Sequence, residues 1–93
     1  MKYKAKESFL LKTVAGESVL MARGKEAIDF GGMIVFNEAG LFMWKVLEAG
    51  CTAQELAEKL AENYGIPAQQ AAADSEAFLQ KCLSEKLLDV TED

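Results

Sequence analysis

Four consecutive apolar residues, Met33 to Phe36, run straight into Asn37 and then into a stretch, Glu38 to Leu47, that is almost free of charge. No other part of the chain restricts the fold as much. Ile34 and Val35 are β-branched, so the run suits a strand buried on both faces. Asn37 breaks it. An Asn just before a helical pattern is a preferred N-cap, because its side chain accepts a backbone N–H of the first turn. Glu38 then sets an anion at the positive end of the helix dipole. From Gly40 to Leu47 only Lys45 is charged, and only Leu41 shares its face with Lys45 and Glu48. A helix with so little polar surface is predicted to be the central helix of its fold, ending at Gly50.

The remaining elements arrange themselves around this joint. Phe9 to Val14 and Glu17 to Ala22 read as the arms of a hairpin turned by Ala15-Gly16. Arg23-Gly24-Lys25 is a predicted turn, Ile28 to Phe30 a short extended piece, and Gly31-Gly32 a joint leading into the strand at 33–36. Thr52 with Glu55 three residues later is a capping box, and Leu56, Ala57, Leu60, Ala61 and Tyr64 make one apolar face of the helix that follows. Gly65 stops it. Ile66-Pro67 opens a third helix, whose apolar stripe is Ala71, Ser75, Phe78, Leu79, Cys82 and Leu83. The predicted helices are 37–49, 52–64 and 68–85. Leu87-Leu88 folds back as an anchor, while 1–7 and 91–93 read as flexible tails. Strands followed by helices predict an α+β domain spanning 1–93, with a small antiparallel sheet of two to three strands ahead of a three-helix unit.

Composition removes several classes of function. The formal charge of −5 argues against a nucleic-acid surface, and Lys2, Lys4 and Lys6 form the sole basic cluster. Without a histidine, His-based catalysis and His-containing metal sites are excluded. Cys51 and Cys82 fall in helical patterns and read as small buried hydrophobes rather than as a disulfide framework. Phe9-Leu10-Leu11 is too short for a signal-peptide core, and no apolar run approaches membrane-spanning length. The expectation is a soluble cytoplasmic protein without a cofactor or metal. Asp29-Phe30-Gly31 spells a kinase magnesium motif, but 93 residues are too few for a kinase and its other signatures are missing.

The segment Phe36-Asn37-Glu38-Ala39-Gly40-Leu41-Phe42-Met43-Trp44-Lys45-Val46-Leu47 resembles the Leu-Asn-Glu-Thr-Gly…Ile-Trp…Leu segment of the PqqD-like family, small peptide-binding domains also called RiPP recognition elements. Gly50, Thr52, Glu55, Leu56, Leu60 and Tyr64 fall on the family's Gly-x-Thr-x-x-Glu-Leu…Leu…Tyr helix. Asp74, Phe78, Leu79, Leu87 and Leu88 fall on its Asp-Val-x-x-Phe-Leu…Gly-Leu-Leu ending. The likeness covers roughly 9–90, with specific motifs from 36 onward. Phe36 stands for the usual Leu, Ala39 for Thr, Ser75 for Val, Cys82 for Leu and Lys86 for Gly. The resemblance implies a winged-helix-like, non-enzymatic adaptor. It would bind the leader segment of a precursor peptide as an added strand and present it to a modifying enzyme, often a radical SAM protein.

On that reading the peptide lies along Met33, Ile34, Val35 and Phe36, whose edge offers unpaired backbone groups. Its specificity pockets would come from Ser75, Phe78, Leu79 and Cys82 of the third helix. For Phe78 and Leu79, core and groove are both open; Trp44 and Leu47 read as core, and Asn37 as a cap. The same edge is also open to pairing with a second copy, a homodimer. The alternative is a winged-helix DNA-binding regulator, which requires a basic recognition helix. Against it, the second helix carries Glu55, Glu58 and Glu62 against Lys59, and the third Asp74, Glu76 and Glu85 against Lys81 and Lys86. An enzyme would need an acid/base pair or phosphate loop, and neither pattern is present.

Overall fold

The computed structural model describes residues 1–22 and 33–92, with Met33 as backbone only. The turn expected at Arg23-Gly24-Lys25, the extended piece at Ile28 to Phe30, the Gly31-Gly32 joint and Asp93 lie outside the described residues. The element order is β1 (Lys2–Ala5), β2 (Phe9–Val14), β3 (Glu17–Ala22), β4 (Met33–Phe36), α1 (Glu38–Ala49), α2 (Ala53–Tyr64), α3 (Ala68–Ser84) and β5 (Leu88–Thr91).

Local chemistry sets the helix starts. Asn37 is extended, and its Oδ1 accepts the Gly40 N–H at 2.7 Å, so the strand ends and α1 begins within one residue. Thr52 and Glu55 form the reciprocal box. The Glu55 N–H donates to Thr52 Oγ1 at 3.1 Å, and the Thr52 N–H donates to Glu55 Oε1 at 2.8 Å. That backbone bond also holds the Glu55 carboxyl below its ordinary pKa. Pro67 stands at the N-cap of α3, where it contributes its fixed φ and no side-chain bond.

The end of α3 follows a Schellman pattern. The Leu87 N–H donates to the Cys82 carbonyl at 2.9 Å and the Lys86 N–H to the Leu83 carbonyl at 3.1 Å. Lys86 therefore takes the left-handed conformation, with φ 60°. A side chain there is strained in a way that glycine is not.

The sheets differ from the expected single sheet. The arrangement is α+β, but the described residues form two sheets: a three-stranded one in the order β2-β3-β4 and a two-stranded one made of β1 and β5. The tail expected over 1–7 is corrected. Lys2 pairs with Thr91 and Ala5 with Leu88, so both chain ends meet in one ladder. The expected 91–93 tail likewise loses Thr91 to β5. The other edge of β1 is taken too: the Tyr3 N–H donates to the Cys51 carbonyl at 2.7 Å, and the Cys51 N–H to the Tyr3 carbonyl at 2.9 Å. Tyr3 and Ala5 turn inward while Lys2 and Lys4 stay exposed. In sequence that period-2 alternation is masked by its lysines, and its partner lies at the opposite end of the chain.

The core sits between the helices and the inner faces of both sheets. Leu20, Trp44, Leu47, Leu56, Leu60 and Leu87 are its largest fully enclosed side chains, with Cys82 beside them. Trp44 packs on Phe36 with ring centroids 5.8 Å apart. Its indole N–H has no hydrogen-bond partner among the described residues. As expected, α1 is the most enclosed helix, with Gly40, Met43, Trp44 and Leu47 buried. The strand at 33–36 is not buried on both faces: Ile34 and Phe36 pack on the core, whereas Val35 is 53% exposed. One neighbour is β3, and among the described residues no strand pairs with the other side of β4.

Candidate functional site

The open side of β4 borders a groove of about 700 Å³, closed opposite by α3. Which backbone groups face it follows from the hairpin. Ala15 and Gly16 both have positive φ, 52° and 82°, which is a two-residue type I′ turn. Its flanking pair, Val14 and Glu17, is thereby a hydrogen-bonded pair. Such pairs alternate along an antiparallel ladder. Glu17, Val19 and Met21 therefore turn their N–H and C=O toward β2, and Ser18 and Leu20 turn theirs toward β4. Across from these two lie Phe36 and Ile34. The backbone groups of Phe36 and Ile34 are consumed by β3, and those of Val35 and Met33 point to the open side.

The floor of the groove is apolar. Phe36 and Phe78 meet with centroids 5.8 Å apart, and both lie over Gly40. A Cβ at Gly40 would stand 3.4 Å from Phe36 Cδ1 and 3.5 Å from Phe78 Cε1, and 3.1 Å from the capping Asn37 Oδ1. The glycine thus lets the rings settle onto α1. Met43, Leu60, Tyr64 and Ile66 also line the groove. Tyr64 is held there edge-on by Phe42, at 5.8 Å.

The sequence-predicted residues divide. Ile34, Val35, Phe36, Phe78 and Cys82 all line the groove. Met33 continues the strand edge, paired with Met21. Ser75 and Leu79 do not line it; each is only 2% exposed and faces the core. The Ser75 hydroxyl donates back to the Ala72 carbonyl at 3.3 Å, so it is satisfied within its own helix. Cys82 reaches the groove from beneath and is itself 2% exposed. Burial pushes its thiol pKa up to about 12, and it remains a thiol at neutral pH. Burial also raises that of Cys51, with a smaller contribution from the Glu55 carboxylate.

Sequence reasoning passed over the face of α3 that borders the open groove: Gln70, Asp74, Ala77 and Lys81. These recur at spacings of four, three and four, a helical stripe displaced by one position from the buried Ala71, Ser75 and Cys82. The available signal was that displacement, since a search for apolar periodicity selects the core stripe and leaves its polar neighbour as solvated surface. Charge on the helices gives the DNA alternative no support. On α2, Glu55, Glu58 and Glu62 are exposed against Lys59. Among the described residues no group of three or more His, Cys, Asp or Glu side chains could hold a metal ion. No helix among them is long and apolar enough to cross a membrane.

Comparison with known proteins follows the same geometry. Among curated proteins none matches the chain. Among solved structures, one described as TbiB1 in complex with the TbiA(beta) leader peptide superposes with a TM-score of 0.75 at 20% identity, covering 97% of this chain and 99% of that one. At that identity the likeness establishes a shared fold. The family model for coenzyme PQQ synthesis protein D (PqqD) matches residues 17–88, from β3 to the first residue of β5, and the chain belongs to the PqqD family.

Proposed function

We propose that this domain binds the leader segment of a ribosomally made precursor peptide as a fourth strand beside β4, and presents it to a modifying enzyme such as a radical SAM protein. The observation that carries the reading is the edge of β4, unpaired among the described residues, facing an apolar groove backed by α3. A peptide strand satisfies the backbone groups of Val35 and Met33, while its alternate side chains enter the groove over Phe36 and Phe78. Membership of the PqqD family supports this, as does the fold shared with a protein solved in complex with a leader peptide. Backbone pairing supplies affinity for almost any extended segment, and the groove supplies selection. A second copy of the chain paired through the same edge would compete with the peptide.

The test uses proline, which lacks the donor. Labelled synthetic leaders are made from short reading frames encoded beside the gene and titrated into wild type and Val35→Pro, with folding followed by circular dichroism. Val35→Pro stays folded and loses most of its affinity, because the missing N–H faces the peptide. Ile34→Pro instead removes a bond to β3 and lowers the melting temperature. Equal binding by wild type and a folded Val35→Pro would rule out strand addition at this edge.

A further inference from the structure

We infer that the two charges on the groove face of α3 select the peptide and fix its register: a segment with a basic and an acidic residue four positions apart and a large apolar residue midway. This rests on the peptide reading above.

Asp74 and Lys81 both line the groove. Seven residues apart, they share a face and lie about 10.5 Å from each other along the helix axis. Phe78 sits between them, four residues after Asp74 and three before Lys81, half-buried against Phe36. Among the described residues no side chain forms an ion pair with either charge.

An extended strand presents every second residue to one side, at about 6.7 Å per pair of residues. For a peptide running alongside α3, residues two apart fall short of the Asp74–Lys81 separation by about 4 Å, and residues four apart, at about 13 Å, exceed it by less than 3 Å. Long side chains at the ends absorb the smaller mismatch. The matching segment therefore sets a basic residue against Asp74, an apolar residue over Phe78 and Ala77, and an acidic residue against Lys81. The net charge of −5 alone would favour basic peptides with no preference for charge order. Lys81, within the groove, is what makes the order matter. Each exposed pair contributes about 1.4- to five-fold in affinity, and the preference weakens as salt rises.

The test is selection from a displayed library of random 12-residue peptides on wild type, on the charge-exchanged variant Asp74→Lys/Lys81→Glu, on the neutral variant Asp74→Asn/Lys81→Gln, and on Val35→Pro. Wild type is expected to enrich one charge order with an apolar residue midway. The exchanged variant should enrich the opposite order, and the neutral one neither. Synthetic peptides of the two orders should differ on wild type by at least about two-fold, from two such pairs. Enrichment without a charge order on wild type, still lost in Val35→Pro, would overturn the register and leave the peptide reading standing. If wild type enriches nothing beyond what Val35→Pro retains, both fall. Should the exchanged variant fail to fold, the neutral variant decides: an unchanged charge order there overturns the inference.

Discussion

The two faces of α3 are built from residues one or two positions apart, and they answer to different demands. Ala71, Ser75, Leu79 and Cys82 are enclosed. Gln70, Asp74, Ala77 and Lys81 border the groove and are exposed. The first set fastens the helix to the core, so its chemistry is constrained by volume. The second set is exposed, so its chemistry is much less constrained by packing. Phe78 belongs to both: its ring packs on Phe36 and also floors the groove. A helix divided in this way can vary its groove face without changing its fold.

The contrast breaks most visibly at Leu79. Leu79→Ala removes a buried side chain and should cost about 2–5 kcal/mol of stability, read by urea or thermal denaturation. A loss below about 1 kcal/mol would mean that the enclosed face is not what holds α3 in place. Cys82 provides a pH-dependent version of the same test. Burial favours the neutral thiol, so its folded pKa, about 12, lies above the ordinary value of 9.0. Between these values the unfolded chain has released the proton and the folded one has kept it. The contribution is fully present below pH 9 and is lost as pH rises toward 12. Denaturation midpoints should fall with pH across that window, and fall less steeply in Cys82→Ala. Equal slopes would show that this thiol is not enclosed.

A gain is expected at the helix end. Lys86→Gly relieves a left-handed residue at the Schellman position and should stabilise by about 1 kcal/mol. An unchanged melting temperature would mean that the strain is already relieved. The smallest effects on stability belong to the groove face: Asp74→Asn and Lys81→Gln should stay within about 0.5 kcal/mol of wild type. A larger loss would place these residues in the structural set.

How much of this was legible in sequence depends on how local each signal is. The turn from β4 into α1 is written in Asn37, and the start of α2 in Thr52 and Glu55, because caps act over three residues. The core stripe of α3 is legible from its apolar period. The partnership of β1 with β5 is not, because it joins the two ends of the chain and β1 carries two of the first three lysines. The resemblance pointed to the strand at 33–36, which borders the groove, and nominated Ser75 and Leu79, which turn inward. A groove lined by Gln70, Asp74 and Lys81 leaves no periodic apolar trace, and its members read as ordinary solvated residues until β4 is placed opposite them.

The central claim is that a peptide strand engages the outward backbone of Val35. Amide hydrogen exchange, resolved by residue with and without a bound leader peptide, tests it most directly. Ile34 and Phe36 donate to β3 and should exchange slowly in both states. The Val35 N–H points into the open groove; it should exchange quickly in the free protein and become strongly protected when peptide is bound. Peptide binding that leaves Val35 exchange unchanged would contradict the account.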